Sequence, residues 1–382
     1  MSAVPVIGIG QVSALGTGIA AARSALYAQN VLPTLSDIKD STLRLPVFMA
    51  QGDFPNELNR PLGMLMHAVE EALEMAEINL SDAMTTLKIG AVVGTTVLAN
   101  LHDLEFCGKL RDKAPNLDGK PFRDYVDSSP ADYLHKRLAL NGPALTVSNA
   151  CASSADAIGI AKLWIESHVC DIVIAAGIDT IEAGPLDGFN ALGVFSKAPC
   201  TPFDANRSGL NLGEAAAALI LAAPGVRKSL CTIAGYANRA DANHITQPMP
   251  SGEHLESAVR RALEQAEISP DEIDFVNAHG TGTEANDRVE GQTLCRIFGD
   301  SLRYHSTKCL TGHTLGAAGA LEAILSMIML QEKRAVRSCR FRELPEDIPV
   351  APLTEDTEID GNFALSTSLA FGGANSAIVI KG

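Results

Sequence analysis

Three side chains with the chemistry of catalytic groups lie where the chain is expected to leave a strand or enter a helix. Cys151 follows the β-prone segment 145–149 and precedes a run of small residues that favours a helix. His279 ends an apolar strand, and His313 comes just before a glycine-rich, apolar helix. A thiol with histidine partners is a frequent arrangement for nucleophilic catalysis, so these residues predict an enzyme with a cysteine nucleophile.

The turn at Cys151 indicates how the thiol would be activated. A cysteine at a helix N-terminus faces unpaired backbone N–H groups and the positive end of the helix dipole, and both favour the thiolate. We therefore expect the helix after Cys151 to lower the pKa of its thiol. An inert, buried cysteine is the alternative, because free cysteine is among the most buried residue types.

The segments around the two histidines contain charged and hydroxyl residues. The hydroxyls of Thr281 and Thr283 can hydrogen-bond a ligand, and the glycines beside them allow its close approach. Lys308 precedes His313 by five residues, and Glu322 lies in the apolar helix that follows. Because an unpaired buried glutamate is unfavourable, we expect Lys308 to pair with Glu322 and to fix the site rather than perform chemistry.

A tight turn near the C-terminus is a further candidate part of the site. Phe371, Gly372 and Gly373 lie between two strand-like segments, and the paired glycines permit backbone N–H groups to face a ligand. A phosphate-binding loop is a poorer interpretation, because no Gly-Lys-Ser/Thr follows the glycines.

Composition limits the classes of protein to which the chain can belong. Of its 382 residues, 46% are hydrophobic and 20% charged, as in a well-packed globular protein, and the net charge of −15 argues against nucleic-acid binding. The eight cysteines lack a C-x-x-C pair or zinc-ligand spacing, and no signal peptide precedes them, so we expect a reduced cytoplasmic protein without a metal. The apolar helix at 315–330 contains Glu322 and is too short to span a membrane comfortably.

Short apolar strands alternate with helical segments along the chain. This alternation predicts a layered α/β fold with buried, largely parallel strands, and the segment 172–176, apolar on both faces, predicts a central strand. Strands are expected at 4–9, 89–93, 145–148, 171–176, 216–221, 275–277 and 376–380, and helices at 61–76, 152–167, 252–266, 287–298 and 315–332.

The segment 225–229 lies between two predicted strands and is the best candidate boundary. It divides the chain into residues 1–227, with Cys151, and residues 228–382, with both histidines, and a weak internal duplication is compatible with this division. The long polar segment 101–127 is predicted to be a lid or a partner surface.

Together these motifs occur in an order that carries a family resemblance. They are Cys151 in its small-residue turn, Pro202-Phe203-Asp204, Gly213-Glu214-Ala215, His279-Gly280-Thr281-Gly282-Thr283, Lys308 with Gly312-His313-Thr314, Glu322, and Phe371-Gly372-Gly373-Ala374-Asn375. Over essentially its whole length, the chain resembles the elongating β-ketoacyl-acyl-carrier-protein synthases of fatty-acid and polyketide assembly.

The resemblance implies a thiolase-type fold, in which two similar α/β halves form a five-layer αβαβα sandwich, and a dimer as the working assembly. It implies a Cys-His-His site, for which this sequence supplies Cys151, His279 and His313. The implied reaction is the decarboxylative condensation of an acyl group on Cys151 with a malonyl group on acyl carrier protein, without a metal or redox cofactor.

A role for each remaining motif also follows from the resemblance. Backbone N–H groups of Cys151 and Phe371 would form an oxyanion hole, and Phe371 would act as a gate. His279 and His313 would stabilise an enolate. Lys308, paired with Glu322, would orient the two histidines. Thr281 and Thr283 would bind the phosphopantetheine arm of the carrier protein.

Several positions depart from the family pattern. Ala370 replaces a glycine beside the proposed gate, Phe371, and Thr201 replaces an arginine that contacts the carrier protein. Ser208 replaces an aspartate and Ala215 replaces a glycine. Asp156 occupies a position where a different residue is usual. Carrier proteins are acidic, so a chain of net charge −15 needs a local basic patch or a partner that supplies one. These departures favour a specialised synthase of an aryl-polyene or type II polyketide pathway, either a homodimer or a heterodimer with a chain-length-factor subunit.

Two other functions compete with this interpretation. A catalytically inactive subunit resembling a chain-length factor would lack the nucleophile, so Cys151 with both histidines argues against it. A degradative thiolase would need a cysteine base near the Gly-Gly turn, but the last cysteine, Cys339, lies well before Phe371.

Overall fold

Strands and helices follow one another along the chain much as the hydrophobic pattern predicts. The computed structural model describes residues 3–55, 59–97, 104–115, 119 and 129–382. The described strands are β1 (Val4–Ser13), β2 (Gly16–Thr17), β3 (Thr34–Leu35), β4 (Pro46–Val47), β5 (Ile89–Gly94), β6 (Ala144–Val147), β7 (Ile172–Asp179), β8 (Ala215–Ala222), β9 (Cys231–Ala240), β10 (Phe275–Asn277), β11 (Tyr304–His305), β12 (Arg334–Ala335), β13 (Thr357–Glu358), β14 (Phe363–Ala370) and β15 (Ala374–Lys381).

Helices connect most of these strands. The described α-helices are α1 (Ile19–Ala28), α2 (Arg60–Met75), α3 (Leu80–Ala83), α4 (Leu104–Arg111), α5 (Pro130–Arg137), α6 (Ser153–Glu166), α7 (Ala183–Ala191), α8 (Glu253–Ala266), α9 (Glu284–Phe298), α10 (Lys308–Thr311) and α11 (Ala318–Gln331). Short 3-10 turns lie at Pro270–Glu272, Gly299–Ser301 and Leu315–Ala317. All predicted strands and helices are present. The largest difference between a predicted and an observed end is at β1, which ends at Ser13 instead of residue 9.

The large sheet shows an internal duplication. From the outer edge of each half inward, the strand order is β6-β5-β7-β8-β1 in the N-terminal half and β11-β10-β14-β15-β9 in the C-terminal half. In both halves the first two pairings are parallel and the next two antiparallel, and a short antiparallel ladder between β1 and β9 joins the halves.

The expectation of largely parallel strands is therefore wrong for the middle of the sheet. One of the antiparallel pairings there is a hairpin, because residues 371–373 form a tight turn between β14 and β15, and a hairpin can only pair its strands antiparallel. The others, such as β7 with β8, join strands that are well separated in sequence. The prediction of a central strand at 172–176 is confirmed, because β7 is buried at every residue and lies between β5 and β8.

Five layers result from the way the helices cover the two halves. Helix α2 packs on β1, β7 and β8 at one outer face, and α8 packs on β9 and β15 at the other, with α9 beside it. Helices α6 and α11 lie between the halves, because α6 contacts β5, β7 and β15 while α11 contacts β7, β8 and β14. The thiolase-type αβαβα sandwich expected from the sequence is thereby confirmed.

Two further expectations concern segments between these layers. The proposed boundary at 225–229 lies between β8 and β9, and the division of the chain there stays a prediction. The predicted lid at 101–127 contains α4, and its residues 101–103, 116–118 and 120–127 lie outside the described residues. Among the helices that the structure describes, none is both long and apolar enough to cross a bilayer.

The two central helices begin at the Cys151 and His313 motifs and pack closely against each other. Helix α6 begins two residues after Cys151, and α11 follows His313 through a 3-10 turn. At their contact, a Cβ atom on Gly319 would lie 2.7 Å from both the Cβ atom and the backbone nitrogen of Ala155. Only small residues can hold the two catalytic turns this close together.

Replacing Gly319 with valine should therefore disturb the fold and the site together. Overpacking a close core contact lowers the free energy of unfolding by about 1–3 kcal/mol, and we expect this loss for Gly319→Val in chemical denaturation. Gly188→Ala is the matched control, because a Cβ atom at this helical position meets nothing within 4 Å. Equal denaturation midpoints for the two variants would contradict the close packing.

Candidate active site

A strained turn between β6 and α6 presents the nucleophile. Ala150 has a φ of 47°, in the left-handed region that residues other than glycine seldom adopt. The Ser153 hydroxyl holds this turn, because it accepts the Asn149 N–H at 2.8 Å and donates to the Ala150 carbonyl at 2.6 Å. The turn places Cys151 in the wall of a cavity, where only 4% of the residue is exposed.

Burial determines the acidity of Cys151. Removal of the thiol from water is the main reason that its pKa is raised to about 12; Asp179 also raises this pKa, whereas Lys308 and the Phe371 N–H lower it. The predicted activation of Cys151 by the helix N-terminus stays a prediction. A thiolate at this depth loses more solvation than the neighbouring donors restore, so burial favours the thiol form of Cys151.

One cavity of about 390 Å³ gathers residues from both halves of the chain, and its volume is that of a ligand pocket. Six of the predicted site residues line it: Cys151, His279, Thr281, Thr283, His313 and Phe371. Lys308 and Glu322 are buried behind the wall that His279 forms. Gly372 does not line the cavity, and its N–H donates to the Ile245 carbonyl at 2.7 Å.

The two histidine rings meet edge to face. Their centroids are 5.0 Å apart and their planes are inclined by 85°. Burial, together with the positive charge of Lys308, lowers the pKa of both His279 and His313 well below the usual value. Both rings are therefore neutral, which suits them to donate hydrogen bonds to an oxygen that becomes negative during a reaction.

Lys308 determines which nitrogen of His279 carries the proton. Its Nζ lies 3.2 Å from His279 Nδ1 and donates to the His279 carbonyl at 2.6 Å. Because an ammonium group can only donate, Nδ1 is assigned as the acceptor and the ring proton lies on Nε2. Lys308 also forms the predicted ion pair with Glu322, and burial raises the pKa of Glu322 to about 7 against the opposing effect of the lysine.

Two buried carboxylates that sequence reasoning missed shape the first histidine motif. Asp287 accepts the Thr281 N–H at 3.0 Å, and Glu290 accepts the N–H groups of His279 and Gly280, both at 2.8 Å. These acids lie three residues apart on α9, so they share one helix face. An acidic pair at this spacing, directly after a loop rich in glycine and threonine, is the signal that could have revealed them.

Phe371 closes the cavity beside the nucleophile. Its ring stacks on Phe189 with the centroids 5.4 Å apart, and its backbone N–H lowers the pKa of the Cys151 thiol. Gly372 follows with a φ of 86°, a left-handed conformation that glycine adopts without strain. The predicted turn therefore places the Phe371 backbone in the wall of the cavity that also contains Cys151.

The raised pKa of Cys151 predicts alkylation that accelerates steadily with pH. Because only the thiolate reacts with iodoacetamide, the rate constant at Cys151 should rise about tenfold per pH unit between about pH 6 and pH 9. Peptide mass spectrometry would assign the rate to this residue, with Cys151→Ala as the control. A plateau below about pH 8 would contradict the prediction, because it would mean that the thiolate is already fully formed there.

Comparison with known proteins identifies relatives of this chain. Residues 55–224 match the β-ketoacyl synthase N-terminal domain, and residues 230–342 match the C-terminal domain. A 3-oxoacyl-[acyl-carrier-protein] synthase 2 of Staphylococcus aureus (strain N315) is 30% identical over 332 residues, which are 82% of this chain and 80% of that protein. Nodulation protein E of Rhizobium leguminosarum bv. trifolii is 36% identical over 268 residues, which are 67% of this chain and 66% of that protein.

Solved structures share the fold over the whole chain. A β-ketoacyl synthase from Burkholderia phymatum STM815 aligns with a TM-score of 0.89 and 26% identity, covering 100% of this chain and 99% of that one. The complex of the ketosynthase ApeO with its chain length factor ApeC from Xenorhabdus doucetiae aligns with a TM-score of 0.87 and 28% identity, covering 100% and 98%. The chain therefore belongs to the β-ketoacyl synthase family of condensing acyltransferases.

Proposed function

We propose that the cavity joins an acyl group held on Cys151 to a malonyl group delivered by acyl carrier protein, and so extends the chain by two carbons. One observation carries the assignment of roles. In a single cavity, the Cys151 thiol and the Phe371 turn are accompanied by two neutral histidines, of which one is fixed by a buried lysine. This arrangement provides a nucleophile on one side and hydrogen-bond donors for an enolate on the other.

Acylation of Cys151 is the first half-reaction. The sulfur attacks the thioester carbonyl of the incoming acyl carrier, and the thiol proton passes to the departing phosphopantetheine sulfur. The tetrahedral oxyanion is stabilised by the backbone N–H groups of Cys151 and Phe371, two residues that line the same cavity. One thioester is exchanged for another, so this half-reaction neither releases nor consumes a proton.

Decarboxylation and carbon–carbon bond formation make up the second half-reaction. His279 and His313 donate hydrogen bonds to the malonyl thioester carbonyl, carbon dioxide leaves, and its bonding electron pair becomes an enolate. The enolate carbon attacks the acyl carbonyl, the bond to the Cys151 sulfur breaks, and this sulfur takes a proton from solvent. No step requires a metal or a redox cofactor.

Thr281 and Thr283 are the proposed contacts for the phosphopantetheine arm. Their hydroxyl oxygens lie 2.8 Å apart on the cavity wall, and each can exchange its present partner for an amide group of the arm. The carrier protein as partner is supported by the Staphylococcus aureus relative, whose name specifies a synthase acting on acyl carrier protein.

A homologous subunit is the second proposed partner. Within the described part of the chain, β6 pairs only with β5, so its other edge is open. This edge exposes Leu145 at 40%, and the neighbouring helix α6 exposes Leu163 at 56%. An open edge with apolar side chains favours pairing with a second chain. The ApeO–ApeC complex and the ishigamide ketosynthase/chain length factor support a heterodimer as that assembly.

Two variants separate the half-reactions. Cys151→Ala should lower condensation by at least about 10³-fold while malonyl decarboxylation persists, because the nucleophile acts only in acyl transfer. His313→Ala should lower both decarboxylation and condensation by about 10²–10³-fold, the effect of losing one donor to an oxyanion. Product analysis with acyl- and malonyl-carrier proteins measures both. Condensation by Cys151→Ala, or normal turnover by His313→Ala, would refute the respective role.

The edge strand can be tested by placing a charge on it. Leu145→Asp should prevent stable association with the homologous subunit, measured by size-exclusion chromatography with light scattering, because a buried unpaired carboxylate is unfavourable. Leu35→Asp is the matched control, since Leu35 is 68% exposed on the separate β3–β4 sheet. A fully active homodimer of the unaltered chain would replace the heterodimer, and an unaffected Leu145→Asp assembly would refute the interface.

A further inference from the structure

The Asp156 carboxylate is a buried acid for which the condensation chemistry has no use. It lies in the first turn of α6, and the residue is only 6% exposed. Side chains from three other elements donate to its two oxygens: Asn149 Nδ2 at 2.6 Å, Tyr236 Oη at 2.9 Å, Asn238 Nδ2 at 3.0 and 3.2 Å, and Ser376 Oγ at 2.6 Å. A buried carboxylate with this many donors holds all of them in one arrangement.

The donors come from both halves of the fold. Asn149 belongs to the strained turn that presents the nucleophile, whereas the other three lie on β9 and β15 of the C-terminal half. Asn238 and Ser376 are cross-strand partners in the ladder between these strands, so their side chains stand on one face of the sheet. The network therefore connects the Cys151 turn to the strand that starts at Ala374, directly after the Phe371 turn.

Space for this network is provided elsewhere in α6. Gly159 lies one helical turn after Asp156, and a Cβ atom there would approach the Tyr236 ring to 2.2 Å. Burial, followed by the negative charge of Asp156, raises the pKa of Tyr236, so its hydroxyl keeps its proton and donates. The lack of a side chain at Gly159 leaves room for the Tyr236 ring, and Asp156 accepts the hydrogen bond from the Tyr236 hydroxyl. The two residues of α6 therefore together determine the position of Tyr236.

We propose that Asp156 is a positioning residue that fixes the Cys151 turn relative to the Phe371 turn. The inference rests on the proposed function, in which the two oxyanion donors for acylation are the backbone N–H groups of Cys151 and Phe371. These donors belong to different halves of the chain, and the Asp156 network joins the segments that carry them. The malonyl side depends instead on His279, His313 and Lys308, and within the described residues no hydrogen bond of the Asp156 network reaches these three side chains.

Substitutions at Asp156 should therefore affect the acylation of Cys151 more than malonyl decarboxylation. Asp156→Ala and Asp156→Asn should each slow acylation of Cys151 by about ten- to a hundredfold, because a misplaced oxyanion donor loses much of its effect. Malonyl decarboxylation should change by less than about twofold. Asp156→Asn should not restore the rate of acylation, because its NH₂ group would face the donating amides of Asn149 and Asn238. Intact-protein mass spectrometry follows acylation, and carbon dioxide release follows decarboxylation.

Two further variants distinguish a general loss of stability from a specific loss of positioning at Cys151. Glu71→Ala removes a partly buried carboxylate that accepts the Gln11 and Ile19 N–H groups, so it should lower the denaturation midpoint without changing the ratio of the two rates. Asn149→Ala removes the tether from the side of the Cys151 turn and should slow acylation even if the Asp156 variants do not fold.

The outcomes separate the inference from the function on which it rests. An equal loss of both rates in the Asp156 variants, or unchanged acylation in Asn149→Ala, would overturn the positioning role. Absence of acylation and decarboxylation in the unaltered protein would instead overturn the proposed function.

Discussion

The chemistry of the site depends on a lysine that is kept out of water. The Lys308 side chain is 1% exposed, and an ammonium group at that depth is unfavourable unless it is paired and hydrogen-bonded. Glu322 and the His279 carbonyl meet this requirement, and the fixed charge then acts on its surroundings. It disfavours protonation of both histidines and leaves His279 with its proton on Nε2. On a solvated surface the same lysine would be screened and would do neither.

The duplicated fold explains how residues far apart in sequence reach this lysine. Each half contributes one central helix, and each of these helices begins beside a turn of the candidate site, α6 after Cys151 and α11 after His313. Close packing of Ala155 against Gly319 brings the helix starts together. The site therefore forms only when both halves are folded and packed, so the precision of the chemistry is a property of the interface between them.

What hydrophobic period and charge could predict was local, whereas the five-layer fold and the grouping of Cys151 with the two histidines were predicted from the family resemblance. Strand and helix positions follow from hydrophobic period, and the Lys308–Glu322 pair follows from the high energy of an isolated buried charge. The antiparallel centre of the sheet, the pKa of Cys151 and the Asp156 network could not be predicted in this way. Each depends on how deeply a residue is buried or on partners distant in sequence: Ser376 lies 220 positions from Asp156.

The protonation states of the site match a cycle that takes up one proton. In the proposed cycle, acylation passes a proton from one sulfur to another, but condensation expels the Cys151 sulfur as an anion. Burial raises the pKa of that sulfur to about 12, so it recaptures a proton from water at neutral pH and the site returns to its resting thiol. Lys308 and the Phe371 N–H both stabilise the anion as it leaves, which lowers the barrier to its departure. Capture of the proton and loss of carbon dioxide then both drive the condensation forward.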